Sequence, residues 1–180
     1  MGVNEKNIID FKTSYKKDET PSFSSGFYNW TMFLINFYAR VKNTLKIDFD
    51  SFMILQIVVS DYLYKSNKES KKNYNEFRES LTNHTDLFKE IRKINIASIA
   101  EILDLPRETV RRKILHLSKI RLLNYSKNGI TIGSEYKTVF NEFVSQTVNN
   151  MSQLVKKWES NGSLKELLEL NKKLWLTQFV

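Results

Sequence analysis

From about Ser24 to Leu45 the apolar residues Phe27, Trp30, Leu34, Phe37, Val41 and Leu45 recur at three- and four-residue steps, the period of one helix face. Tyr28, Met32, Phe33, Ile35 and Tyr38 occupy the remaining faces. A helix apolar nearly all round is expected to be buried on several sides. Asp48 or Asp50 can cap a second helix reaching about Lys65, in which Phe52, Leu55, Val59 and Tyr62 share a face. The pattern weakens in the charged stretch 66–73, after which short helical segments are expected around 74–81 and 86–93.

Ile94-Asn95-Ile96 alternates as a short strand would. Two helices joined by a tight turn are expected next, at about 97–103 and 106–120, with Pro106 suited to the first helical position because it has no amide proton to orphan. The apolar runs 123–126 and 130–133 flank Lys127-Asn128-Gly129, and Asn-Gly between such runs signals a hairpin. Phe140, Val144, Thr147, Met151, Leu154 and Trp158 alternate steps of four and three. That spacing predicts a helix of about 24 residues presenting a seam. Asn161-Gly162 ends it, and Ser163 with Glu166 predicts a capping box for a last helix.

Composition narrows the class. Apolar residues make up 41% and charged residues 27%, so a packed core is expected. With no cysteine and two histidines, disulfides, thiolate metal sites and cysteine nucleophiles are excluded. Neither His84 nor His116 has a partner at ligand spacing, and no phosphate loop or hydrolase motif occurs, so no metal, cofactor or catalytic site is expected. Five glycines and two prolines argue against a turn-rich β fold. The longest apolar stretches, 30–39 and 52–59, fall short of the roughly 20 residues that span a bilayer. No signal peptide is read at 1–10, which predicts a cytoplasmic protein without membrane contact.

Charge is concentrated. Of the formal +8, residues 91–127 carry Arg92, Lys93, Arg107, Arg111, Arg112, Lys113, Lys119, Arg121 and Lys127 against Glu101, Asp104 and Glu108. Five of the seven arginines lie there, and arginine's planar fork suits phosphate and guanine edges. In the helix expected at 106–120, Val110, Ile114 and Leu117 fall on one side. Glu108, Arg112 and Lys119 fall opposite, Thr109, Arg111 and His116 flank them, and Arg107 sits in the first turn. Leu115 is apolar on this polar side and is expected to pack on the hairpin. Double-stranded DNA becomes the leading partner, with this helix entering a major groove.

The order strand, helix, turn, helix, hairpin over 94–133 is that of a winged helix-turn-helix, and residues 99–114 (IAEILDLPRETVRRKI) resemble the helix-turn-helix of bacterial winged-helix transcription regulators. Arg107-Glu108-Thr109-Val110 followed by Arg112 is similar to the recognition helix of the Crp/Fnr group. The resemblance implies base contacts by Arg107, Glu108 and Arg112. Ser98, Thr109, Arg111, Lys113 and Lys119 are then expected to position phosphates, and Lys127 and Asn128 to reach an adjacent groove or phosphate from the wing tip. No Gly-rich β-roll precedes the motif, and the flanking helices look more like the MarR type, where outer helices form a dimer. Three features depart from that pattern: Asp104 and Arg121 stand where glycine is usual, and about 25 residues are inserted ahead of the strand.

The expected fold is therefore mostly α, a winged helix-turn-helix with a small β-hairpin wing and long flanking dimerisation helices. Its parts are a flexible arm (1–22), N-terminal helices for core and dimerisation (23–66), a helical insertion (67–93), the DNA-binding segment (94–133) and C-terminal dimerisation helices (134–180). The expected function is sequence-specific transcription regulation by a homodimer. MarR-type architecture leaves room for a small-molecule effector, although no residue identifies its ligand. The alternative is a winged-helix protein-interaction or replication-assembly module with weak or no specific DNA binding.

Overall fold

Ile54, Leu55 and Val58 of the helix Phe49–Glu69 (α2) are almost wholly buried in the computed structural model, which describes residues 23–80 and 94–177. The expected arm at 1–22 and the short helix at 86–93 lie outside the described residues. Of the two candidate caps, Asp48 starts α2, its carboxylate accepting from the Ser51 amide at 2.8 Å. The helix runs past Lys65 to Glu69, so the break expected at 66–73 shrinks to 70–73 before Tyr74–Ser80 (α3). The chain is mostly helical, with one two-stranded antiparallel sheet. No described helix is long and apolar enough to cross a membrane.

The described residues divide into two units. In the larger, 32–151, α2 packs on Ile96–Leu103 (α4), on Arg107–Lys119 (α5) and on the second strand of a hairpin, Leu123–Ser126 (β1) and Gly129–Ile132 (β2). Val110, Ile114 and Leu117 of α5 are fully buried, as their i, i+4, i+7 spacing predicts. Residues 94–133 thus share one core with α2. The strand expected at 94–96 reduces to a single pairing of Ile94 with Ile130, because Asn95 caps α4 by accepting from the Ser98 amide at 3.0 Å. Pro106 is the cap of α5 and not its first helical residue, its carbonyl accepting from the Val110 amide at 3.1 Å. In the hairpin Ser126 pairs with Gly129, so Lys127-Asn128 forms the turn and Gly129, at φ 114°, opens β2.

Asp104 and Arg121, the two positions where the sequence lacks an expected glycine, are both left-handed, at φ 51° and 59°. Each closes its helix with the same pair of bonds. Leu105 and Asp104 amides reach the Ala100 and Glu101 carbonyls, and Leu122 and Arg121 amides reach those of Leu117 and Ser118. The fold therefore keeps the helix ends that glycine would favour, at a conformational cost for L side chains. Arg121→Gly is expected to stabilise the chain by about 0.5 kcal/mol, because relief of the left-handed cost exceeds the extra unfolded-state entropy. A higher urea midpoint at unchanged m would show it.

An aromatic cluster joins α2 and α3 to the segments that follow the hairpin. Tyr136–Val139 (α6), a π-helical turn Phe140–Val144 and Ser145–Ser160 (α7) run on as one helical stretch of 25 residues, close to the expected length and ending ahead of Asn161-Gly162 as expected. Phe143 meets Phe37 and Phe52 at ring separations of 5.6 and 6.2 Å. Phe140 meets Tyr74 and Phe77 at 5.7 and 5.4 Å. Burial pushes the Tyr136 phenol up to about 12.

The smaller unit combines 23–31 with 152–177 among the described residues. It holds the start of Phe23–Arg40 (α1), the end of α7, and Ser163–Thr177 (α8). The Trp158 indole donates to the Gly26 carbonyl at 2.9 Å. A Cβ on Gly26 would lie 2.6 Å from Ser163 Cβ, so glycine permits that approach. Ser163 is the first helical residue of α8, and its amide donates to Asn161 Oδ1 at 3.1 Å. The capping role expected of Ser163 therefore falls to the Asn161-Gly162 turn.

One expectation fails plainly. The first helix is not buried on several sides: Gly26 and Asn29 are its buried residues, while Phe27 is 59% and Ile35 53% exposed. Among the described residues, a single chain covers one face of α1 and leaves the others exposed.

Candidate nucleic-acid interface

Once Val110, Ile114 and Leu117 are committed to the core, the helical rotation fixes what α5 shows to solvent. Glu108, Arg112 and Lys119 are exposed, as expected from their positions opposite the anchors, and so are Arg111 on the flank and Arg107 in the first turn. Leu115 stays 41% exposed and is not covered by the hairpin as expected. At the hairpin tip Lys127 and Asn128 are exposed, with the Asn128 amide tied to Ser126 Oγ at 3.2 Å.

The cations on this face are not equivalent. Arg111 donates from Nε and Nη2 to the two Glu108 oxygens at 2.8 and 2.7 Å, a bidentate pair one helical turn apart. Arg111's hydrogen bonds, aided by the charges of Arg111 and Arg112, hold the Glu108 carboxyl below its usual range, and Glu108 in turn raises Arg111. Arg107 and Arg112 have no ion-pair partner among the described residues. Their guanidinium donors are open to a ligand, whereas Arg111 and Glu108 must first give up one another.

Lys113, expected among the phosphate contacts, is placed differently. Its side chain is 17% exposed and its ammonium lies 2.7 Å from Asp48 and 3.3 Å from Asp50. It pins α5 to the start of α2, because its place on the flank of α5 turns it toward those carboxylates. Thr109 is half-buried, and so is Ser98, whose hydroxyl lies 3.3 Å from Asn95 Oδ1 within the α4 cap. Two residues not among the expected DNA contacts join the face. Tyr125 on β1 is 42% exposed and near enough to Arg111 to favour its charge, and Arg121 is exposed at the end of α5. The strand period could have pointed to Tyr125, since Leu123 and Tyr125 stand two apart, but only their unequal burial separates them.

The Lys113 cluster has a pH signature. Partial burial raises the Asp48 carboxyl, yet hydrogen bonds from Lys113 and Ser51 outweigh it and leave it below 3.8. Burial lowers Lys113, but Asp48 and Asp50 outweigh it and leave it above 10.5. The Asp48 contribution is complete above its unfolded value and lost as pH falls through the depressed one. The Lys113 contribution is complete below its unfolded value and lost as pH rises through the raised one. Lys113→Met is expected to cost no more than about 1 kcal/mol at neutral pH, because the carboxylates are well solvated. Urea midpoints of wild type and variant should converge at both ends of the pH range; a constant gap would show that packing of the lysine stem is what matters.

No protein family matches the chain, and neither do any curated proteins or solved structures. Among the described residues no group of three metal-ligating side chains occurs.

Proposed function

We propose that this chain is a winged helix-turn-helix protein that binds double-stranded DNA sequence-specifically as a homodimer and regulates transcription. Its recognition helix is α5, its wing is the β1–β2 hairpin, and the carrying observation is that Arg107 and Arg112 stand exposed and, among the described residues, unpaired on a helix whose anchor side is wholly buried. Arg107 and Arg112 read bases, Glu108 does so only after releasing Arg111, and Lys119, Lys127 and Asn128 contact the backbone. Lys113 acts through Asp48 and Asp50 by fixing the angle of α5. The dimer uses the helices outside 94–133, where α1 leaves its apolar face open and α7 exposes Val148, Met151 and Val155 at i, i+3, i+7, an unpartnered stripe of the kind that helices bury against one another.

A second reading, a protein-interaction module in a replication assembly, is favoured by the exposed Ile102 on α4 and Leu115 on α5, apolar residues on the same two helices. Selection of duplexes from a random pool, followed by titration of the bound duplex against salt, separates the two. The regulator is expected to enrich one sequence, and its affinity should fall steeply and linearly with log salt. Lys127→Ala should lower that slope by about one. Failure to bind any duplex at low salt would leave the interaction module.

A further inference from the structure

A concave surface of about 690 Å³ opens where α1 passes into α2. Val41 and Ile47 form its buried floor, and Tyr38 and Phe49 its walls. The two rings meet edge-on at 5.4 Å, yet are 43% and 52% exposed, so apolar area faces the cavity and water together. Lys42 and Lys46 are its cations; both are exposed and neither has an ion-pair partner among the described residues. Its one acid among the described residues, Asp48, is already engaged by the Ser51 amide and the Lys113 ammonium. Two unmatched positive charges over a carbon-lined hollow suit a molecule with an apolar body and one negative head.

The backbone there is unusual for a mere helix junction. The turn Val41–Leu45 is π-helical and Lys46 is left-handed at φ 54°, two costly departures in one short connection. Together they bring Lys42 and Lys46 to the same hollow.

We infer that the hollow between Tyr38, Phe49, Lys42 and Lys46 is a binding site for an amphipathic organic anion, and that this anion is the effector of the DNA-binding activity. The second half rests on the function proposed above. The link is Asp48, which lines the hollow and also holds Lys113 of α5 at 2.7 Å. An anion seated at Lys42 and Lys46 stands beside Asp48, and like charge there weakens its hold on Lys113 and so on the setting of α5.

The probe is 8-anilinonaphthalene-1-sulfonate, an aromatic anion whose emission rises in apolar surroundings, with neutral N-phenyl-1-naphthylamine as its uncharged counterpart. Saturable sulfonate binding to the full chain is expected. Lys42→Gln combined with Lys46→Asn, asparagine being chosen because it tolerates the left-handed backbone, should weaken sulfonate binding about tenfold, as expected for losing two charge-assisted contacts. Binding of the neutral probe should be unchanged. Phe27→Ser, in the separate apolar cavity with Trp30 and Trp158, should leave both intact. Unfolding midpoints confirm that each variant is folded. Sulfonate binding that survives the double substitution, or that is lost with Phe27→Ser, overturns the site.

In the second arm, saturating sulfonate is expected to change the affinity for the selected duplex, and Lys113→Met to abolish that change. Duplex binding indifferent to the probe overturns the effector role. A chain that binds the sulfonate at Lys42 and Lys46 but no duplex would refute the DNA-binding reading and leave the anion site standing.

Discussion

Gly133→Ala is expected to destabilise the chain by about 3 kcal/mol or more, enough to unfold a domain of ordinary stability. A Cβ at this position would sit 2.1 Å from the Arg121 carbonyl oxygen and under 3 Å from the Arg121 and Leu122 carbonyl carbons. These are backbone atoms and cannot swing aside as a side chain would. They are also pinned: the Gly133 amide donates to the Leu122 carbonyl at 2.9 Å and the Glu135 amide to the Arg121 carbonyl at 3.1 Å. Relief would require moving the end of α5 away from the exit of β2, breaking those bonds and disturbing buried Leu122, Leu123 and Ile132. Urea unfolding of the variant beside wild type measures the loss. A difference under 1 kcal/mol would mean that α5 and the hairpin are not clamped together at this point.

Arg112→Ala is expected to lower affinity for the selected duplex by about 10- to 100-fold, the worth of one bidentate base contact, with a much smaller loss on random duplex. Arg112 is the stronger choice for this test because it has no ion-pair partner among the described residues, whereas Arg111 is held by both oxygens of Glu108. A free guanidinium transfers its donors to a base edge at the cost of its water alone. A paired one surrenders two hydrogen bonds as well, so Arg111→Ala should cost less. Fluorescence anisotropy of each variant on selected and random duplexes at fixed salt makes the comparison. Equal proportional losses on both duplexes would remove Arg112 from sequence reading and make it a backbone contact.

The two substitutions probe different properties of the molecule. Gly133 concerns whether α5 and the hairpin form one rigid unit, and Arg112 concerns what that unit does. A chain weakened by Gly133→Ala but indifferent to Arg112→Ala would keep its architecture and lose its proposed function. The exposed apolar faces of α1 and α7 bear on a third matter, since a homodimer that covers them should make unfolding depend on protein concentration.

Much of the fold was legible because it depends on local rules. The i, i+4, i+7 spacing of Val110, Ile114 and Leu117 is enough to decide which side of α5 is buried, and hence that Arg111 and Arg112 face out. Asp48 as a cap, the hairpin about Lys127-Asn128 and the break at Asn161-Gly162 follow from side chains within a few residues of the bonds they make. The missing glycines at Asp104 and Arg121 stand in the sequence as departures from the pattern, and only the structure shows that both residues take the left-handed backbone all the same.

What required the tertiary structure are the pairings between distant segments. Helical period places Lys113 on a flank of α5 but says nothing of Asp48 and Asp50, 65 and 63 residues earlier in the chain, so one expected phosphate contact became an internal tie. Nor does period count the partners available to an apolar helix, and α1 exposes rings that its sequence alone would bury. The crowding of Gly133 against Arg121 and the hollow between Tyr38 and Phe49 likewise arise only when separate elements meet. Periodicity and capping act over one or two helical turns; burial and charge pairing depend on which surfaces the whole chain brings within a few ångströms.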